Sequence, residues 1–437
     1  MQAGGHVPLS AAAILATLAA GLAGPASTSA WTKPRTLVAA ASPDALGAGL
    51  VQSPDGTATD AFSVTEHGGI RLFPARGGSS FEAPVYVPGS RPLRNGLLPP
   101  PFSVALGDGG SAAVVWVDQI DEAGGDRPCL CAVRAATRAP REPFGPMQTL
   151  VRARQDMSLP QVASVPQSGA TAVWRQGGVE RWARSSGTGF GRPHSLPGAQ
   201  WTVLSAVAGR PEIYFLGGEL GEEEIYEGSL PLHRPRFLGP VPAPEVGPGE
   251  TKLAADSHGD LIAVGAESRL KVSYRRTGRH LGRPRTLAHL GEGDSCSVAA
   301  TMNVRGEALV AWACSSGRSF GESGEAVLLG PGGRLLAASR RRTVAGAPVI
   351  ALGPRGDALV AWELSAAHGI VVATQQRRGR SFGPDRPILR ARDAESIEDL
   401  SLAIDGRTGL ALWTDDVPLP GPERRLERVR VASTTLE

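Results

Sequence analysis

The octapeptide "GEALVAWA" at residues 306–313 returns as "GDALVAWE" at residues 356–363. Each copy is a short apolar run between a glycine and polar residues. Such a run is too short for a buried helix, and its continuous apolarity fits a β-strand covered on both faces. A chain that writes a doubly buried strand twice at a fixed interval reads as a repeat protein.

Aligning on the aromatic near the end of the phrase extends the series. Phe62, Trp116, Trp174, Phe215, Gly265, Trp312, Trp362 and Trp413 occupy one register, with a mean step of about 50 residues. Tryptophan is rare, with only 8 in the chain, yet five fall in this register. Chance similarity in an Ala- and Val-rich chain does not produce that. A run of small residues precedes each anchored strand, as in "SVALG", "KLAAD" and "SVAAT". An amphipathic run follows it, and a phrase of aromatic or Leu, Gly and Pro closes the unit, as in "LGRPRTL" at 281–287 and "FGPMQTL" at 144–150.

Four antiparallel strands recurring every fifty residues or so are the pattern of propeller blades, whose sheets pack face to face around an axis. The fold class is therefore all-β, a β-propeller of about eight four-stranded blades, with seven as the fallback if a copy near Phe62 or Phe215 is incomplete. The small residues of the first strand suit the crowded axis. The last copy lacks its closing phrase, and "WTKPRTL" at residues 31–37 matches "LGRPRTL". The expected ring is closed by the N-terminal strand, which completes the last sheet and removes two open edges.

At this point the chain resembles exported bacterial propeller repeat proteins, in a loose likeness to the kelch and sialidase groups. The likeness covers residues 31–437 and is architectural. Only "YFLGG" at 214–218 carries a kelch-like glycine pair. The phrase closest to a sialidase Asp-box, "SPDGTATDAF" at 53–62, has a different Asp-Gly spacing and lies in the first turn of its unit. No active residue of either group maps onto this chain.

Composition sets the compartment and excludes some partners. The chain has 437 residues, 41% of them hydrophobic, and a formal charge of +3. That is ample material for a core and no basic stripe for nucleic acid, since acidic stretches separate runs such as Arg340–Arg342. The first thirty residues contain no Asp, Glu, Lys or Arg, and an apolar run at 9–24 precedes small residues ending at Ala30. Residues 1–30 thus read as a secretory signal peptide and residues 31–437 as one propeller domain, secreted or held at the cell surface. Retention of the segment as a membrane anchor is the alternative. Four cysteines suit an oxidising compartment. Cys296 and Cys314 flank the turn "NVRG" symmetrically, which places them opposite each other for a disulfide. Cys129 and Cys131 share one strand face, either bonded to each other under strain or unbonded.

Motifs for chemistry are sparse. "GRSFG" at 317–321 and 379–383 matches the nucleophile elbow G-x-S-x-G, but an elbow turns from strand to helix, and here the phrase sits between strands. Acidic residues gather after the second strands: Asp118, Asp121, Glu122 and Asp126, then Glu222–Glu224, then Asp415 and Asp416. The connections between units add Asp294, Asp393, Glu395, Glu398 and Asp399. Converging carboxylates of this kind hold calcium or serve as acid and base on a glycoside. No calcium-loop motif is present, no cofactor is implied, and Asp256 and Asp405 alone mark the ends of the inner strands. The expectation is a non-catalytic binding or scaffold protein presenting its loops to a protein, glycan or cell-wall partner. A carbohydrate-active hydrolase using the rim acids, or a passive envelope module, are the alternatives.

Overall fold

In the computed structural model the described residues form 34 β-strands and no α-helix. The structure describes residues 30–436 except 41–44, 54–55, 66–68, 78–79, 91–101, 122–129, 166–168, 187–188, 197–200, 208–209, 218–223, 230–235, 241–250, 267, 291–294, 316–321, 365–369, 377–380, 390–396 and 419–424. The leading segment read as a signal peptide thus lies outside the described residues, apart from Ala30. No described helix is long and apolar enough to cross a membrane.

The apolar phrase at residues 306–313 lies in the strand Ala308–Ser315, the second of its repeat. Its side chains alternate between two faces, as any strand dictates. Leu309, Ala311 and Ala313 enter a core with Ala358, Val360 and Trp362 of the following repeat. Ala308, Val310, Trp312 and Cys314 enter another with Ile262, Val264 and Leu270 of the preceding one. One strand therefore feeds two inter-sheet cores, which explains why it has no polar face. Each anchor tryptophan reaches back toward the preceding repeat: Trp116 packs with Val64 and Leu72, Trp174 with Val115 and Val133, and Trp413 with Leu359 and Ala361. The five anchors are at most 3% exposed. Burying about 200 Å² of ring contributes on the order of 5 kcal/mol each before entropy is charged.

Among the described residues the strands make seven hydrogen-bonded sheets, all antiparallel, with strands following one another in chain order except where the first strand joins the last sheet. One sheet has eight strands and holds two consecutive repeats. They are joined because Arg342–Leu352, the innermost strand of the later repeat, also pairs at its start with Glu322–Gly330 through Gly324↔Arg342. The architecture is a β-propeller.

The ring closes as the sequence leads one to expect. Arg35–Ala40 pairs with Arg425–Thr435 in the register Arg35↔Val431 to Ala40↔Glu427. Ahead of it, Thr32 N donates to the Ser433 carbonyl at 2.8 Å. Leu37, Val38, Ala48 and Phe73 then share a core with Leu412 and Val429, joining the first sheet to the last. The closing phrase has a structural reason. A bulge falls between Thr36 and Val38, between Thr149 and Val151, and opposite Leu270/Lys271, between Thr286 and Ala288. The skipped residue is Leu37, Leu150 or Leu287. A bulge of this kind re-aims one side chain, and here all three leucines pack inward.

The turn between first and second strands also repeats. Gly56, Gly110, Gly259, Gly306 and Gly356 all have φ between 70° and 89°. Their N–H groups donate to the carbonyls of Ser53, Gly107, Asp256, Asn303 and Gly353 at 2.9–3.2 Å. Any side chain at these left-handed positions would be strained, so glycine holds the turn.

Cys296 and Cys314 are opposite partners on adjacent strands and form a disulfide with a Cα–Cα separation of 4.1 Å. Cys131 is also oxidised, while Cys129 lies outside the described residues.

Buried charge binds neighbouring repeats. Arg275 closes its strand and donates to Glu227 Oε1 and Oε2 of the preceding sheet at 2.6 and 2.7 Å. Arg138 occupies the corresponding strand end two sheets into the ring and donates to Asp60 of the first sheet. Glu180, on Val179–Ser186, is 6% exposed. Burial raises its carboxyl from the ordinary 4.5 to about 7, with Arg175 across the strands opposing the shift. Below pH 4.5 both folded and unfolded chains carry the proton and no penalty exists. As pH rises toward about 7 the unfolded chain ionises first, and the fold loses about 3 kcal/mol. Glu180→Gln is expected to remove this decline and to be more stable than wild type at pH 7.5. Parallel stability curves for the two proteins across pH 5–8 would contradict it.

Candidate functional site

An antiparallel four-strand unit places its first–second and third–fourth turns at one end of the ring, and its second–third turns and crossings to the next unit at the other. Of the acidic residues singled out in the sequence, the described Asp118, Asp121, Glu224, Asp399 and Asp415 lie at the crossing end. Asp118 Oδ2 is 2.9 Å from Arg134 Nε, an ion pair by distance without hydrogen-bond alignment. Asp121 accepts from the Leu130 N–H at 2.6 Å and from Arg154 Nη2 at 2.7 Å. Asp415, wholly buried, receives Arg428 Nε at 2.8 Å and Arg430 Nη1 at 3.1 Å. Asp118 and Asp415 share one device: each follows its anchor tryptophan by two positions, and Arg134 or Arg430 stands opposite that tryptophan.

Asp399 accepts from the Ala48 N–H at 3.2 Å, tying the last sheet to the first. Glu224 accepts from the Tyr226 hydroxyl at 2.5 Å. Glu122, Asp126, Glu222, Glu223, Asp294, Asp393 and Glu395 lie outside the described residues, and so do the side chains of Glu398 and Asp416. Among the described residues no group of three or more His, Cys, Asp or Glu side chains could hold a metal ion. Ser319 falls outside the described residues, and Ser381 precedes the strand Arg386–Leu389 rather than a helix.

The described concavities lie at the opposite end. A small axial pocket of about 250 Å³ is lined by inner-strand ends including Val51, Leu106, Ala163 and Met302. Asp256 stands in its wall, where its Oδ1 accepts from the N–H groups of His258 and Asp260 at 2.8 and 2.9 Å. That is a turn-holding role, and burial raises this carboxyl above the ordinary range.

A larger groove of about 1150 Å³ runs off the axis, across the first two sheets to the turn at Asp405 of the last. At its base Arg138 pairs with Asp60, both side chains 4% exposed. Burial raises Asp60, and Arg138 opposes the shift. The Arg138 guanidinium also lies 5.6 Å from the centre of the Phe144 ring. The hydroxyl of Thr59 and the Nε of Arg138 are both buried in this wall without a hydrogen-bond partner. Tyr86, 55% exposed, forms the lip with the Arg71 guanidinium 5.3 Å from its ring centre. Asp405 is half-buried, and burial alone raises its carboxyl.

Sequence reasoning did not single out this groove. One signal was present: Asp60 stands two positions before its anchor, where the other copies carry Val114, Val310, Val360 or Ala411. A carboxylate in a doubly buried strand demands a cation, and a buried arginine at a strand end supplies one.

No family model matches the chain, and no curated protein is similar to it. Among solved structures, the WD40 domain of SCAP from fission yeast is similar with a TM-score of 0.52 at 10% identity, over 92% of this chain and 98% of that one. The polysaccharide lyase Uly1 covers 93% and 100% with a TM-score of 0.44 at 9% identity. At 10% identity the likeness to the WD40 domain speaks for the β-propeller fold alone.

Proposed function

We propose that this chain is an exported, non-catalytic β-propeller of eight blades that binds a protein or glycan partner in the off-axis groove. Counting the eight-stranded sheet as two repeats supports eight blades. The oxidised Cys296–Cys314 pair and the apolar leading segment support export. The observation that carries the binding reading is the groove, whose size and mixed lining suit a ligand. The arginines on Asp118, Asp121 and Asp415 favour structural work for these acids over acid–base chemistry.

The test is a binding screen of the secreted protein against glycans, purified cell wall and peptides, run beside Tyr86→Ala/Glu142→Ala. Both residues line the groove, and both are exposed, so folding is expected to be unchanged. Wild type is expected to bind at least one class about tenfold more tightly than the double variant. Binding that the double variant leaves intact, or no binding at all, would overturn the reading.

A further inference from the structure

We infer that an arc of the ring's outer edge, spanning three consecutive repeats, docks on the surface of an anionic lipid bilayer. The inference stands apart from the groove and uses none of its residues.

The arc consists of the outermost strands Arg236–Pro240, Arg285–His289 and Arg334–Ala338 and the turns that lead into them. Residues 228–244, 268–290 and 326–356 contain no Asp or Glu, and 268–290 alone holds seven Lys or Arg. Acidic residues separate these segments along the chain, and the ring sets them side by side. Arg236 Nη2 donates to the Gly278 carbonyl at 2.9 Å, and the Leu281 N–H donates to the Leu238 carbonyl at 2.9 Å. Arg285 Nη1 donates to the carbonyl of Gly333, the neighbour of Arg334, at 2.6 Å.

Much of the charge on this arc is not neutralised within the fold. Arg275 is taken by Glu227, Arg342 by Asp385, and Arg341 Nε lies 4.0 Å from Glu325 Oε1. Asp260 accepts from the Tyr274 hydroxyl and the Thr277 N–H. Arg276, Arg279, Arg283 and Arg334 are exposed, and none of them forms an ion pair with a described acid. The turn that displays two of them is fixed: the Arg279 N–H donates to the Arg276 carbonyl at 3.0 Å, and Arg275 Nε donates to the Arg279 carbonyl at 2.8 Å. Little ordering is then left to be done on binding.

A second observation selects the occupant. Six large apolar side chains are exposed among the described residues, and three of them, Phe237, Leu335 and Leu336, lie on two of these strands. Phe237 follows Arg236, and the leucine pair follows Arg334. Shielding a sheet edge against other chains accounts for charge on these strands and would not put two exposed leucines there. A soluble polyanion uses the arginines and leaves the leucines in water. An anionic bilayer takes both, since lipid phosphates meet the guanidiniums while Phe and Leu reach the acyl boundary beneath. Arginine suits that depth, because its stem lies along apolar surface while its head stays wet.

The experiment sediments the intact chain with vesicles of phosphatidylcholine alone and with vesicles containing about 30% phosphatidylglycerol, at about 100 mM salt. Wild type is expected to bind the anionic vesicles at least about tenfold more tightly. Arg276→Gln/Arg279→Gln/Arg283→Gln is expected to lose about a hundredfold, at about fivefold per arginine, with Tm within about 1 °C of wild type. Each variant carries the same N-terminal segment as wild type, so a difference in binding belongs to the arc. Leu335→Gln is expected to lose about fivefold on vesicles and to bind soluble dextran sulfate as wild type does. No vesicle binding, equal binding to both vesicle types, or a triple variant that binds as wild type does would overturn the inference. Dextran sulfate bound as tightly as the anionic vesicles, with Leu335→Gln unaltered on both, would assign the arc to a soluble polyanion and sink the bilayer. Tyr86→Ala/Glu142→Ala is expected to keep full vesicle binding, and its loss there would move the contact to the groove and away from the arc.

Discussion

Removal of residues 31–40 is expected to abolish the cooperative native state or to lower Tm by about 10 °C. The strand Arg35–Ala40 is the outer strand of the last sheet and aligns five residue pairs with Arg425–Thr435. At about 1 kcal/mol per net hydrogen bond, the lost ladder alone is on the order of 5 kcal/mol. Thr32 adds a backbone bond to Ser433 and accepts the Ser433 N–H on its hydroxyl at 3.0 Å. Trp31 packs against the core that contains Leu359 and Trp413. The sum rivals the whole stability of an ordinary domain, about 5–15 kcal/mol. Deletion also bares the long strand Arg425–Thr435 as an edge, which invites association between chains. Thermal unfolding and size-exclusion chromatography read both effects, and a synthetic peptide of residues 31–40 added back is expected to restore a monomeric, cooperative transition. A truncated protein with unaltered Tm and elution would show that closure does not carry stability.

Arg275→Ala is expected to cost about 3–5 kcal/mol, the penalty for breaking a buried ion pair from one side. Arg275 is 1% exposed. Beyond Glu227 it donates through Nε to the Arg279 carbonyl at 2.8 Å and through Nη1 to the Gly259 carbonyl at 3.2 Å. Its guanidinium lies 5.9 Å from the centre of the Tyr214 ring in the preceding sheet. One side chain therefore pins two turns of its own sheet and couples that sheet to the preceding one. Alanine leaves the Glu227 carboxylate, whose side chain is only 13% exposed, with Arg236 at 3.9 Å in place of the bidentate partner. Arg275→Lys is expected to recover little, because an ammonium cannot address three acceptors with the geometry of a planar fork. The pair Arg275→Met/Glu227→Leu is expected to be more stable than Arg275→Ala, since it removes both charges together. Denaturant unfolding measures all three, and a loss below about 1 kcal/mol for Arg275→Ala would refute the assignment.

The two buried arginine pairs show where sequence reading stops. Arg138 and Asp60 are 78 positions apart, and Arg275 and Glu227 are 48 apart. Nothing local marks them as partners. The rim acids illustrate the reverse error of emphasis. In the sequence Asp118 and Asp415 look like wet loop residues, since the arginines that hold them stand 13 to 16 positions on, across a strand pair. The groove was illegible for the same reason: its walls come from the first, second and last sheets, which meet only when the ring closes.

By itself the sequence determined what depends on neighbours along the chain. Strand periodicity follows from side-chain alternation, and the doubly apolar strand with its tryptophan reports a sheet packed on both faces. The repeated closing phrase reports which end strand completes the ring, and the even placement of Cys296 and Cys314 about a turn reports their pairing. Only the tertiary structure decided which charges are neutralised and which face holds the concavity. Those follow from Coulomb and desolvation energies between residues far apart in sequence, which pattern and propensity do not encode.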